Sequence, residues 1–452
     1  MYLNIFHNDV EQFLGTKKIN SDEKTRIKTL SLGLTVPDKF FDLAKNDQDM
    51  YLFYPHTVYQ EYGLRLNEIN MTEMYDELVD NPKVKKRRVV ARDLLTEIAK
   101  TQMESGYPYL MFIDNVNKDN QLKDIGTIKM SNLCTEILQV QEESEINDYG
   151  EEDVIRRDIS CNLGSLNVYN VMKHKNLEKT ISASIDALTS VVEMTDITAV
   201  PTVAKANKEM RSVGLGSMNL HGYLASNKIM YESDVAKDFA NTFYMAMRYY
   251  AVKRSMEIAR DTGIVFKDFE RSEYAKGTAL TKYEVNDYSP KLDRTKELFE
   301  GIHIPTKAEW IQLNQDIKKY GLNHSNLLAT APTGSISYLN NSTASVAPVI
   351  QKFEQREYGD SSTVYPMPYM NETNYFFYKE AYDVDMYKYL DMIRVIQDHV
   401  DQGISTTLYV KSDMTTRELA RLYIYAHRIG LKTLYYTRTK LLGVEECVSC
   451  AV

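Results

Sequence analysis

The residues with the most reactive chemistry in this chain are four cysteines, Cys134, Cys161, Cys447 and Cys450. Cys134 stands in Ser131-Asn-Leu-Cys-Thr-Glu-Ile137. In an extended segment alternate residues share a face, so Asn132, Cys134 and Glu136 would offer an amide, a thiol and a carboxylate to one small ligand at a spacing of roughly 7 Å. A structural cysteine beside a surface glutamate is the plain alternative. Cys161 lies in Asp158-Ile-Ser-Cys-Asn-Leu-Gly-Ser-Leu-Asn167, at a strand-to-loop change, where taken alone a buried thiol is the simpler reading. Cys447 and Cys450 form a CxxC on a terminal segment, from which a dithiol can swing between partners and exchange with a disulfide. Zinc is the rival there, but it needs about four ligands, and the sequence has no second CxxC or neighbouring histidine.

Two further segments carry weaker signals. In Ala331-Pro-Thr-Gly-Ser-Ile-Ser337, a glycine between Thr333 and Ser335 after an apolar run can turn backbone N–H groups and hydroxyls toward a phosphate; an ordinary turn is the alternative. No Gly-Lys-Ser/Thr follows, so it is not a P-loop. Leu434-Tyr-Tyr-Thr437 reads in isolation as two ordinary strand tyrosines.

These segments must be positioned by an alternation of helices and strands. Helical periodicity predicts helices over 84–105, 181–194, 236–262, 385–400 and 415–429. The last has Thr415 and Glu418 spaced as a capping box and Gly430 as its stop. Strand-like runs occur at 30–35, 404–410 and 433–436, so the expected class is α/β. No Pro/Gly/Ser linker divides the chain, which predicts one continuous domain. The basic cluster Lys83, Lys85, Lys86, Arg87 and Arg88 reads as the solvated first turn of the helix over 84–105.

Composition narrows the function classes. With 43% hydrophobic and 26% charged residues the chain is globular rather than disordered or fibrous. A net charge of -9 argues against sequence-independent nucleic-acid binding, which needs a basic surface. No apolar run approaches the ~18 residues of a membrane span, and the first residues lack a signal-peptide pattern. A cytoplasmic location is expected, where cysteines stay reduced unless chemistry oxidises them.

As an ordered set, SNLCTEI, DISCNLGSLN, APTGSIS, LYY and CVSC resemble the large, catalytic subunit of class I ribonucleotide reductases, with wording closest to class Ib. Intervening text such as DEKTRIKTLSLG, ESGYPYLMF and GLGSMNLHGYL is similar too, so the resemblance runs the whole length. It implies the C-terminal portion of a ten-stranded α/β barrel over residues 1–437, with SNLCTEI on a central finger loop, and a flexible redox tail over 438–452. It makes Cys134 the thiyl-radical site that takes the 3'-hydrogen of a ribonucleoside diphosphate, Glu136 the base on the 3'-OH and Asn132 a ribose ligand, flanked by Leu133 and Thr135 as substrate contacts. Cys161 matches one thiol of the reducing pair. Tyr435 and Tyr436 match the radical relay, Pro332, Thr333, Gly334, Ser335 and Ile336 the diphosphate cradle, and Cys447 with Cys450 the dithiol that re-reduces the active-site disulfide. The implied partners are a small subunit whose dimetal-tyrosyl centre supplies the radical and a thioredoxin- or glutaredoxin-like dithiol reductant, with no cofactor or metal held by this chain, no nucleic acid and no membrane. Glu300 and His303 have the spacing of a di-iron motif but lie in loop-like text.

Two departures shape the expectation. The family's large subunit normally carries a long further stretch before the point where this sequence starts, including a helical domain, the first barrel strands, effector loops and the second reducing cysteine. Ala347 also stands where the resemblance leads to histidine. The leading expectation is one fragment of a split large subunit, complemented by an N-terminal large-subunit fragment. The alternatives are an inactive remnant that binds the small or intact large subunit, and a dithiol carrier that uses the tail alone.

Overall fold

The computed structural model describes residues 1–27, 29–358 and 361–440, which fall into two compact units. The first contains Met1–Lys118, Lys129–Thr135 and the described chain from Ser405 onward; the second contains Asp119–Ile128 and Glu136–Ile404. Each unit is assembled from segments far apart in sequence, which is why no linker marks the division. Cys447, Cys450 and the rest of the expected tail beyond Lys440 lie outside the described residues. The first residues of that expected tail, Arg438 to Lys440, belong to a strand, Thr437–Lys440, paired in parallel with Leu408–Lys411.

The first unit is built on a four-stranded sheet in the order Tyr2–Asn4, Gly33–Val36, Tyr109–Phe112, Thr433–Leu434. The first three are parallel and the fourth is antiparallel. Gly33–Val36 and Tyr109–Phe112 are buried at every residue, as continuous apolar runs in a covered parallel sheet must be. The helix Thr416–Arg428 keeps its full capping box, Thr415 with Glu418, and stops before Gly430 at φ 86°. Buried Gln102 ties three elements together. Its amide N–H donates to the Pro108 carbonyl, and its Oε1 accepts from Tyr423 at 2.7 Å and from Thr437 at 2.5 Å.

The helix expected over 84–105 is shorter than its pattern. Lys86–Val90 is a strand paired antiparallel with Asp49–Phe53, and the helix is Ala91–Ser105. Val89 and Val90 are β-branched and favour the pleated conformation. Arg87 and Arg88 then face acidic partners, Glu11 and Asp49, so the basic cluster is not a solvated helical turn.

In the second unit, Leu163–Asn167 pairs in parallel with Gly214–Met218. Parallel bridges Leu215 to Leu328 and Thr330 to Ile404 carry the ladder across two more segments. Against it packs the long helix Asp234–Thr262, buried around most of its circumference, as expected of a core helix. This helix places Arg248 beside Asp401: Nη1 and Oδ1 stand 2.8 Å apart with both side chains buried, an ion pair whose angle is off the hydrogen-bonding direction. The same carboxylate accepts the N–H of Leu327 at 3.0 Å and Leu328 at 2.8 Å. One acidic side chain thus neutralises the buried cation and fixes the start of the segment that leads to Pro332.

Removing one member of a buried pair leaves the other uncompensated, at a cost of about 3–5 kcal/mol. Asp401→Ala is therefore expected to lower unfolding stability by about that amount, and urea unfolding followed by circular dichroism checks it. A loss below about 1 kcal/mol, the scale of an exposed pair, would contradict this account.

Candidate active site

Ser131 to Thr135 is not the extended segment that alternation implies. Leu133 and Cys134 form a turn, and Thr135 has φ 70°, in the left-handed region that a β-branched residue rarely enters. This bend interrupts the extended alternation on which the expectation for this segment rested. Asn132 and Cys134 are half-buried in the first unit, Leu133 is exposed, and Thr135 is fully buried. Glu136, also buried, belongs to the second unit.

The loop is held by its carbonyl groups. Tyr2 donates to the Asn132 oxygen at 3.2 Å, Ser405 to the Cys134 oxygen at 2.6 Å and Thr433 to the Thr135 oxygen at 3.1 Å. Tyr2 reaches its place because its ring lies over Gly33, where an added Cβ would come within 2.4 Å of that ring. Three side-chain donors from separate elements thus set the backbone while the Cys134 thiol points elsewhere.

That thiol meets Tyr435, whose hydroxyl lies 3.6 Å from Cys134 Sγ. Tyr435 and Tyr436 are not strand neighbours on opposite faces. They occupy the break between Thr433–Leu434 and Thr437–Lys440, and their rings approach edge-on with centroids 4.4 Å apart. The backbone at the break is fixed by Tyr435 N–H to the Thr406 oxygen at 2.8 Å and Leu408 N–H to the Tyr436 oxygen at 3.2 Å. Gly106, at φ 79°, lets the chain pass close by: a Cβ there would stand 3.2 Å from the Thr437 oxygen and 3.5 Å from Tyr436 Cβ. Burial is the main cause that raises the Tyr435 pKa, and the Cys134 contact adds to it. Burial likewise raises the Tyr109 pKa.

In the second unit the Glu136 carbonyl accepts Gly403 N–H at 2.8 Å, and Gly403 accepts Thr330 N–H at 3.0 Å. Cys161 is exposed, yet its neighbours are clamped. Gln139 accepts Ser160 N–H at 3.1 Å and donates to its carbonyl at 2.8 Å, while the Asn162 amide donates to Asn207 at 2.9 Å. Thr333 is buried and its hydroxyl accepts Ser345 N–H at 2.7 Å. Pro332, Gly334, Ser335 and Ile336 are exposed, with Gly334 opening the short helix Gly334–Leu339. Cys161 lies two residues before the strand Leu163–Asn167, and Pro332 to Ile336 follow the bridge at Thr330. Among the described residues no group of three or more His, Cys, Asp or Glu could hold a metal; His303 pairs with Glu309 at 2.7 Å.

Sequence reasoning missed Tyr2, Ser405 and Thr433. Each acts through one hydroxyl, and no spacing pattern distinguishes such a residue from other serines, threonines and tyrosines.

The site is thus a thiol on a carbonyl-anchored loop, in contact with Tyr435, which in turn adjoins Tyr436. The ribonucleotide reductase barrel domain matches residues 1–437, and the chain belongs to that family. It is 54% identical over 451 residues to the ribonucleoside-diphosphate reductase subunit alpha of Bacillus subtilis (strain 168), all of this chain aligning with 64% of that protein. It is 41% identical over 470 residues to the subunit alpha of Mycoplasma pneumoniae, covering 65% of it, and 27% identical over 469 residues to that of Treponema pallidum, covering 53%. The chain thus spans less than two thirds of the length of these relatives. Among the described residues no helix is long and apolar enough to cross a membrane.

The buried tyrosines set an alkaline limit. Tyr435 and Tyr109 keep their protons in the folded state above about pH 10, where the unfolded chain releases them. The folded state then holds more protons, so stability falls as pH rises past about 10. Denaturant midpoints measured above pH 10 are expected to fall, with a shallower slope in Tyr435→Phe. An unchanged slope would show that Tyr435 titrates alike in both states.

Proposed function

We propose that this chain carries the thiyl-radical chemistry of ribonucleoside-diphosphate reduction. The contact of 3.6 Å between the Tyr435 hydroxyl and Cys134 Sγ is the observation that supports it most directly. A hydrogen atom can pass between oxygen and sulfur only at such contact.

In this reading a tyrosyl radical delivered by a separate radical-generating small subunit reaches Tyr436, then Tyr435, and Cys134 yields its thiol hydrogen to become a thiyl radical. The thiyl takes the 3'-hydrogen of the substrate; this exchange is near balance and hence reversible. Glu136 accepts the 3'-OH proton, Asn132 hydrogen-bonds the ribose, and Leu133 and Thr135 complete the loop around it. The 2'-OH leaves as water. Two thiols, one of them Cys161, supply the two electrons and two protons and end as a disulfide. Pro332 to Ile336 hold the diphosphate through backbone N–H groups and the Ser335 hydroxyl. Cys447 and Cys450 restore the disulfide to thiols and are themselves reduced by a thioredoxin- or glutaredoxin-like protein.

The assay combines this chain with a small subunit, a dithiol reductant and the part of the relatives' length outside the match, supplied as a separate polypeptide. Diphosphate reduction is expected. Cys134→Ser is expected to abolish it while leaving the thermal midpoint within a few degrees, because a hydroxyl keeps the shape but forms no comparable radical. Turnover by that variant would overturn the radical assignment, and an inactive wild-type assembly would favour the remnant reading. Cys161→Ser is expected to behave differently. It should still release tritium from the 3'-position and free base, but yield no deoxynucleotide; normal deoxynucleotide formation would remove Cys161 from the reducing pair.

A further inference from the structure

Tyr109 has no part in the roles above, yet it adjoins Tyr435. It lies in the buried strand Tyr109–Phe112 and is 2% exposed. Its ring centroid is 4.7 Å from that of Tyr435 and 5.0 Å from that of Tyr107. Its hydroxyl donates to Ser31 Oγ at 3.3 Å. It thus stands beside Tyr435, where its hydroxyl opposes the effect of burial on that group. A phenol has one proton, so Tyr109 can serve only one acceptor at a time among Ser31, Tyr107 and Tyr435.

We propose that Tyr109 is a positioning residue for radical transfer, whose proton serves Ser31 while Tyr435 is a phenol and turns to the Tyr435 oxygen when that residue is a radical. The inference rests on the relay role proposed for Tyr435. In the first step Tyr435 gives a hydrogen atom to the Tyr436 radical, so that Tyr436 becomes a phenol and Tyr435 a neutral phenoxyl. The Tyr435 oxygen has then lost its own proton and can only accept. Its site is half-buried, and a hydrogen bond in such surroundings is stronger than one in water. Tyr109 is in place to supply it. In the second step Cys134 gives its thiol hydrogen atom to Tyr435, which is a phenol again, and the radical is on sulfur. The Tyr109 proton then returns to Ser31. Tyr109 is neither oxidised nor deprotonated in the sequence, and Ser31 keeps its hydroxyl satisfied in the resting state.

The test places 3-aminotyrosine at position 435 in the assembly with small subunit and complementing polypeptide, and traps the radical there. High-field electron paramagnetic resonance after deuterium exchange then reads the protons hydrogen-bonded to its oxygen. The wild-type background is expected to show one exchangeable proton on that oxygen, and Tyr109→Phe, which keeps the ring, is expected to lose it. With native tyrosine at 435, Tyr109→Phe should slow nucleotide reduction by about tenfold, the scale of one hydrogen bond. Ser31→Ala has the opposite sign: it removes the competing acceptor, so the proton coupling at 435 should strengthen. An unchanged coupling in both variants overturns the proposal while leaving the relay intact. If no radical forms at 435 in the wild-type background, the relay reading itself fails, and this inference with it.

Discussion

The first unit depends on a strained residue. Thr135 is a β-branched residue held at φ 70°, and its buried hydroxyl finds no hydrogen-bond partner among the described residues. Conformations of this kind cost of order 1–3 kcal/mol and persist only where the surroundings over-determine them. Here the surroundings are the three hydroxyl donors on the carbonyls of Asn132, Cys134 and Thr135. They come from the first residues of the chain, from the segment after Ile404 and from the strand before Tyr435. Three distant parts of the sequence must be in place before the loop can bend, so thiol geometry is coupled to the folding of the whole unit. The anchors grip the backbone, not the Cys134 side chain.

The second unit solves a similar problem by charge. Asp401 is a buried carboxylate that accepts two consecutive backbone N–H groups and faces Arg248. A buried anion with so many donors is locked in direction, and it fixes Leu327 and Leu328 next to the parallel bridge at Leu215. The chain then leaves the ladder at Ala331 on a defined course, which sets where Thr333 and Gly334 begin their short helix. Cys161 is exposed, and Gln139 and Asn162 tie down the chain on either side of it. Both units thus restrain the main chain beside a cysteine.

Local signals in the sequence were legible where one interaction decides the outcome. The Thr415 and Glu418 capping box and the Gly430 stop appear as read, because a cap needs only residues three or four apart. The pattern at 84–90 misled because its charges suit a helix surface, whereas the strand is decided by Asp49–Phe53, more than thirty residues earlier. Alternation failed at Thr135 for the same reason: its conformation is imposed by partners at Ser405 and Thr433 that no window of sequence contains. The tyrosine pair was identifiable only through resemblance. Its edge-on approach arises at a strand break, and the break is created by pairing with the 406–411 segment. Cys134 stood out as a candidate because the motif set is ordered along the chain, but the hydroxyls that hold its loop did not.

Burial of the tyrosines also constrains how a radical could move through them. A phenol whose pKa is raised by burial keeps its proton, so phenolate is not available as an easily oxidised form at neutral pH. Removing an electron alone would leave a cation in a poorly solvated site, which is costly for the same reason that phenolate is. The remaining route takes electron and proton together, and a proton moves only across hydrogen-bonding distance. The contact between Tyr435 and Cys134 Sγ, and the adjoining rings of Tyr435 and Tyr436, are therefore what the electrostatics demand of any radical relay at this place. Loosening the loop anchors would lengthen the sulfur contact without changing any residue that touches it. In the relay proposed above, the strained backbone at Thr135 therefore matters alongside the identity of the thiol.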